Sequence, residues 1–145
     1  MRAVVQRVRE ASVRVGERLV GSCGPGLVVL LGIAVGDAEE NADRLARKIV
    51  RLRIFENADG RFDLSLLAVR GEALVVSQFT LIADTREGNR PSFSDAAGPE
   101  VAEPLYERVC AALEREGVSV AQGVFGARME VSLVNDGPVT IVLDG

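Results

Sequence analysis

The sequence predicts an α+β fold: a single domain over residues 1–145, a mostly antiparallel β-sheet with a barrel-like core, and two main helices. Three observations carry this expectation. Two segments, about 38–52 and 99–116, repeat apolar residues with a period near 3.6. Several shorter segments alternate in polarity or run aliphatic over strand lengths. Glycine, proline and asparagine punctuate these segments, and no linker, repeat or low-complexity tract divides the chain.

Taken in order, residues 3–9 and 11–15 alternate, as a half-buried strand does, with Val4, Gln6 and Val8 on one face and Val5 and Arg7 on the other. Gly16-Glu17 reads as a turn into a strand at 18–22, completing an N-terminal hairpin. After Gly24-Pro25-Gly26, the run GLVVLLGIAV reads as a strand buried on both faces. Asp37 is the expected N-cap of the first helix, with Glu40 three residues on as in a capping box. Asn57 to Gly60 is a turn, and 61–67 and 72–82 read as strands joined at Arg70-Gly71. Residues 83–99 carry Gly88, Asn89 and Pro91 with little periodicity, which predicts a long loop of the functional or disordered kind. The second helix stops at Gly117, and Pro104 either kinks it or marks its true first turn. Strands follow near 118–124, 128–134 and 139–143, with Asn135 to Pro138 as the turn between the last two.

Composition narrows the chemistry. The chain has no histidine, which removes Ser-His-Asp and Cys-His catalysis and every metal site that needs an imidazole. Cys23 and Cys110 lie too far apart in sequence for a CxxC pair, and no metal or cofactor site is predicted. The N-terminal MRAVVQRVRE lacks the continuous apolar core of a signal peptide, and the aliphatic run from Leu27 is too short to span a bilayer. A cytoplasmic protein without a membrane partner is expected. The net charge is −4, with sixteen of the seventeen basic residues arginine. A general nucleic-acid binder is normally basic, so DNA is not an expected partner and any RNA must be engaged locally.

Two polar segments interrupt the apolar pattern. Ser77-Gln78-Phe79-Thr80 closes an aliphatic strand, and Asn135-Asp136-Gly137-Pro138 sits among turn-forming residues. Read singly, the first is also an ordinary exposed strand end and the second an ordinary turn. Four segments together, MRAVVQRV at the start, SQFTL at 77–81, GNRPSF at 88–93 and NDGPVT at 135–140, closely resemble the D-aminoacyl-tRNA deacylases, in that family's order and over essentially the whole chain.

The resemblance implies a homodimer that hydrolyses the ester between a D-amino acid and the terminal ribose of tRNA, with the tRNA acceptor end as its partner. It implies that Ser77, Gln78, Phe79 and Thr80 line the catalytic site. It implies that Gly137 and Pro138, joined by a cis peptide bond, enter that site from the other subunit as a chirality filter braced by Arg7. Phe125 and Met129 resemble the stretch that holds the terminal adenine, and Asn135 belongs to the same substrate-binding set. Glu87 stands where a basic residue is usual before Gly88, which weakens a phosphate-gripping role for that loop. With no imidazole, backbone positioning and the vicinal ribose hydroxyl are the favoured source of catalysis, and Thr80 as a covalent nucleophile is the competing scheme. The alternative to an enzyme is a dimeric RNA-binding module in which both segments are only structural.

Overall fold

The computed structural model describes residues 1–145. Its elements follow the order β1 (Arg2–Val15), β2 (Arg18–Cys23), β3 (Gly26–Gly32), α1 (Glu39–Arg51), β4 (Phe55–Glu56), β5 (Phe62–Leu64), β6 (Glu72–Ser77), α2 (Pro99–Arg115), β7 (Ser119–Gln122) and β8 (Glu130–Asp144). One six-stranded sheet runs β2-β1-β3-β6-β7, with β8 paired to β1, and β4-β5 forms a small separate ribbon. The β1–β2, β1–β3 and β1–β8 pairings are antiparallel, and β3–β6 and β6–β7 are parallel. Each parallel pair is bridged by a crossover that contains a helix, as parallel strands require. The sheet nearly closes into a barrel, because a Cβ built at Gly21 in β2 would lie 2.5 Å from the Gln122 carbonyl oxygen at the end of β7.

Strand polarity explains the two cores. Ala3 and Val5 of β1, the odd residues of β3 and alternate positions of β6 face the helices in a cluster of 25 buried residues that includes Leu27, Val29, Val75 and Tyr106. α1 contributes Ala42, Leu45, Ala46, Ile49 and Val50, all on one helical stripe. The opposite sheet face, folded over by the β1–β2 hairpin, holds seven more, among them Val8, Val13, Val28 and Leu74.

Several expectations are corrected here. Residues 3–9 and 11–15 form one strand whose register shifts beside residues 6–10 and 13–14. The β3 strand stops at Gly32, and β5 covers only Phe62–Leu64 of the expected 61–67. The strand expected at 72–82 ends at Ser77, where residues 79–81 turn through a short 3₁₀ segment. Asp37 does not cap α1. Its carboxylate accepts the Ala34 N–H at 2.8 Å and pairs with the Met1 ammonium at 2.6 Å. Asn41 supplies the cap contact instead, its Oδ1 accepting the Ala38 N–H at 2.8 Å. Pro99 is the helix-starting proline of α2, a place where no N–H is needed. Pro104 therefore lies inside the helix and is not its first turn.

The largest correction concerns the C-terminal segment. The residues expected as two strands and a turn form one strand, β8, paired to β1 on both sides of an interruption. Val8 faces Asn135 and Gln6 faces Thr140, so two steps along β1 match five along β8. Asp136 to Val139 therefore bulge out of a continuous strand. No helix is long and apolar enough to cross a membrane.

Candidate functional site

A cavity of about 600 Å³ opens where β6 ends. The sheet delivers Ser77, the 3₁₀ turn delivers Phe79 and Thr80, and the first turn of α2 contributes Pro99 and Ala102. The segment after β7 adds Phe125 and Met129 to the lining. The strand stops here for a local reason: Gln78 keeps one ladder bond, its N–H donating to the Leu31 carbonyl at 2.8 Å, and the chain then turns on Leu81 N–H to Gln78 O and Ile82 N–H to Phe79 O. The first N–H groups of such a turn, on Phe79 and Thr80, have no acceptor within it.

Every side chain that lines this cavity is apolar or neutral, and Ser77, Gln78 and Thr80 are its only polar ones. The Thr80 hydroxyl accepts a hydrogen bond from Gln78 Nε2 at 3.1 Å, so its recorded partner is an amide and not a base. No cluster of three or more Cys, Asp or Glu residues is arranged to hold a metal ion.

Phe125 and Met129 are held by their neighbours. Tyr106, buried on α2, donates its hydroxyl to the Val75 carbonyl at 2.8 Å, and its ring lies 6.0 Å from that of Phe125. Burial drives the Tyr106 hydroxyl strongly upward from its ordinary pKa, so it stays a neutral donor. Met129 Sδ accepts the Val124 N–H at 3.4 Å. It packs so tightly that a Cβ added at Gly123 would sit 2.7 Å from it.

The remaining expected site residues gather elsewhere. Arg7 is 5 % exposed and reaches from β1 under the β8 bulge. Its Nε donates to the Asp136 carbonyl at 2.9 Å and its Nη1 to the Ile54 carbonyl at 2.8 Å. Glu56 and Asp136 carboxylates lie 3.6 and 3.7 Å away, and the Phe62 ring lies 5.6 Å from the guanidinium carbon. Asn135 fastens the base of the bulge, its Oδ1 accepting the Val139 N–H at 2.9 Å and its Nδ2 donating to Thr140 Oγ1 at 3.0 Å. Gly137 has φ +137°, which favours glycine, and a Cβ there would lie 2.7 Å from the Val139 side chain. The peptide bond between Gly137 and Pro138 is cis. Both residues are exposed, and neither lines the cavity of its own chain.

Ten expected site residues thus fall into two sets. Ser77, Gln78, Phe79, Thr80, Phe125 and Met129 share the cavity, whereas Arg7, Asn135, Gly137 and Pro138 build the bulge. Sequence reasoning missed Phe93, which lines the cavity and meets Phe79 edge to face at 5.2 Å. The signal available was its place at the end of GNRPSF, in a loop too long to be a plain connection.

A family model described as D-Tyr-tRNA(Tyr) deacylase matches residues 4–144. A D-aminoacyl-tRNA deacylase of Roseiflexus sp. (strain RS-1) is 63% identical over 144 residues, covering 99% of this chain and 93% of that protein. Another from Anaeromyxobacter dehalogenans (strain 2CP-C) is 58% identical, covering 99% and 97%. Among solved structures, the c-Myc DNA Unwinding Element Binding Protein superposes with a TM-score of 0.95 at 41% identity, covering 100% of this chain and 99% of the other. A structure titled as a probable eukaryotic D-amino acid tRNA deacylase superposes at TM-score 0.84 over 98% and 97%, and at 19% identity shows the shared fold alone. The chain belongs to the D-Tyr-tRNA(Tyr) deacylase family, a family of ester hydrolases.

Proposed function

We propose that this chain cleaves the ester between a D-amino acid and the terminal adenosine of tRNA, in the cavity at the end of β6, without a protein acid or base. The observation that carries the reading is the lining itself: no ionisable side chain contributes to it. General acid–base chemistry is then left to the substrate and to backbone groups. An aminoacyl ester is already activated, so the enzyme supplies only part of the usual barrier. One donor on a developing oxyanion contributes about 3–4 kcal/mol, and orientation can contribute as much again. The N–H groups of Phe79 and Thr80 are the donors assigned here, and the vicinal ribose hydroxyl positions the attacking water. Phe125 and Met129 form the wall for the adenine.

The chirality filter in this reading is the bulge of a second copy. Gly137 and Pro138 are exposed and do not line their own cavity, so a filter built from them must reach a partner's. β8 also pairs with β1 alone in the sheet and exposes Val131, Val134 and Val142, which suits a homodimer. The bulge carbonyls accept the substrate ammonium and leave no room for an L side chain. Rejection by clash spares D substrates and leaves glycine open to cleavage.

The experiment compares release from D-alanyl-, glycyl- and L-alanyl-tRNA with chelator present. The first two are cleaved and the third is not. L-alanyl ester turnover at the D-alanyl rate refutes the filter. A substrate ending in 2′-deoxyadenosine is expected to be cleaved poorly, while Thr80→Ala keeps substantial activity. Normal deoxy turnover together with an inert Thr80→Ala variant would instead assign Thr80 as the nucleophile.

A further inference from the structure

We propose that Phe79 and Phe93 form a stacking site for a flat π system at the mouth of the cavity, filled either by the base of the nucleotide preceding the terminal adenosine or by an aromatic side chain on the aminoacyl group. The proposal rests on the reading of this cavity as the aminoacyl-adenosine site. Phe79 is 55 % exposed, although it lines a largely apolar cavity whose other aromatic residues are only partly exposed. The Phe79 and Phe93 rings meet at 5.2 Å and 71°. In an edge-to-face pair, one ring presents its edge to the other's face, and the remaining faces stay free to take a further ring.

Both rings are carried on pinned backbone. Ser92 exchanges two hydrogen bonds with Asp84, each 2.8 Å, directly before Phe93, whose carbonyl accepts the Ala96 N–H at 3.0 Å. The Phe79 carbonyl accepts the Ile82 N–H at 2.9 Å. A platform fixed in this way loses little conformational freedom on binding. Phe125, which also lines the cavity, is paired with Tyr106 and not with Phe79 or Phe93. With no ionisable group in the lining, the ligand part met here is recognised by its flat face and not by charge. Bases presented as single strands are held on aromatic side chains in this way. The assignment also gives a role to the long loop between the 3₁₀ turn and α2, which brings Phe93 to the site.

The test measures kcat/KM for three esters: D-alanyl-adenosine as the reference, D-phenylalanyl-adenosine, and a D-alanyl ester on a dinucleotide ending in adenosine. Phe93→Leu is expected to lower, by about tenfold, the ratio of one of the latter two to the reference. Phe93→Tyr, which keeps the π face, retains that ratio. A fall in the dinucleotide ratio assigns the site to the preceding base, and a fall in the D-phenylalanyl ratio assigns it to the side chain. Phe79→Leu, read by the same ratios, serves as the second variant. Ratios unchanged in both leucine variants, or lowered equally by Phe93→Tyr, overturn the stacking site. Wild-type protein inert toward all three esters overturns the deacylase reading itself.

Discussion

Replacing Arg7 separates what holds the β8 bulge from what merely lies beside it. Arg7→Ala removes two charge-assisted hydrogen bonds, to the Asp136 carbonyl at 2.9 Å and the Ile54 carbonyl at 2.8 Å. Hydrogen bonds to charged groups contribute about 1.5–3 kcal/mol each, and a buried acceptor left without a donor adds its own desolvation cost. The Glu56 and Asp136 carboxylates are each half exposed, so their ion pairs add at most about 1 kcal/mol. The expected loss is about 3–6 kcal/mol, which for a chain of this length lowers the unfolding midpoint by about 10–20 °C. Arg7→Lys keeps the charge, but one ammonium cannot fork toward carbonyls on two separate segments, so it loses about half as much. Denaturant titration gives the free energies, and deacylation is measured well below the unfolding transition. Both variants lose more activity than their unfolded fraction explains, because the bulge is released before the fold is. A stability loss under about 1 kcal/mol for Arg7→Ala refutes the bracing argument.

Other outcomes follow from the same geometry. Gly123→Ala places a Cβ 2.7 Å from Met129 Sδ, so KM rises severalfold with kcat little changed. Gly123→Ala combined with Met129→Ala costs less than the sum of the two singles, and strict additivity in that double-mutant cycle refutes the contact. Burial raises the thiols of Cys23 to about 11 and Cys110 to about 12. Above pH 9 the unfolded chain ionises its thiols while the folded one holds their protons, so stability present below pH 9 falls as pH rises through 9 to 12. Cys23→Ala/Cys110→Ala flattens that alkaline limb in pH-dependent unfolding, and an unchanged limb contradicts the assignment.

The helices and the aliphatic strands were legible because their determinants are local. The stripe from Ala42 to Val50 and the run from Leu27 to Leu31 each state their own burial. The misread elements depend on partners far away in sequence. Asp37 looks like a helix cap until the Met1 ammonium arrives beside it. Phe79, Leu81 and Ile82 extend the apolar pattern of β6, and only the crowding at Gly32, where a Cβ would lie 3.0–3.1 Å from Gln78, Leu81 and Ile82, shows how closely the turn packs. Asn135 to Pro138 carry the same residue types whether they reverse the chain or bulge from it, and the choice is made by β1, which pairs with both flanks. The cavity half of the candidate site was legible except for Phe93, whose meeting with Phe79 spans a loop without periodicity.

The double pairing of β8 also fixes chain length. Its two halves share β1 as a template, offset by the three residues in excess between Val8–Asn135 and Gln6–Thr140. Deleting one residue from 136–138 leaves two ways out. One half slides by one position, turning every side chain in it to the opposite face of the sheet and burying outward residues such as Ser132 or Val142. Otherwise the excess shrinks to two, and the Asp136 carbonyl leaves Arg7. Surface loops elsewhere absorb insertions and deletions at little cost. This one is held to a residue count as strictly as a core position is held to a volume.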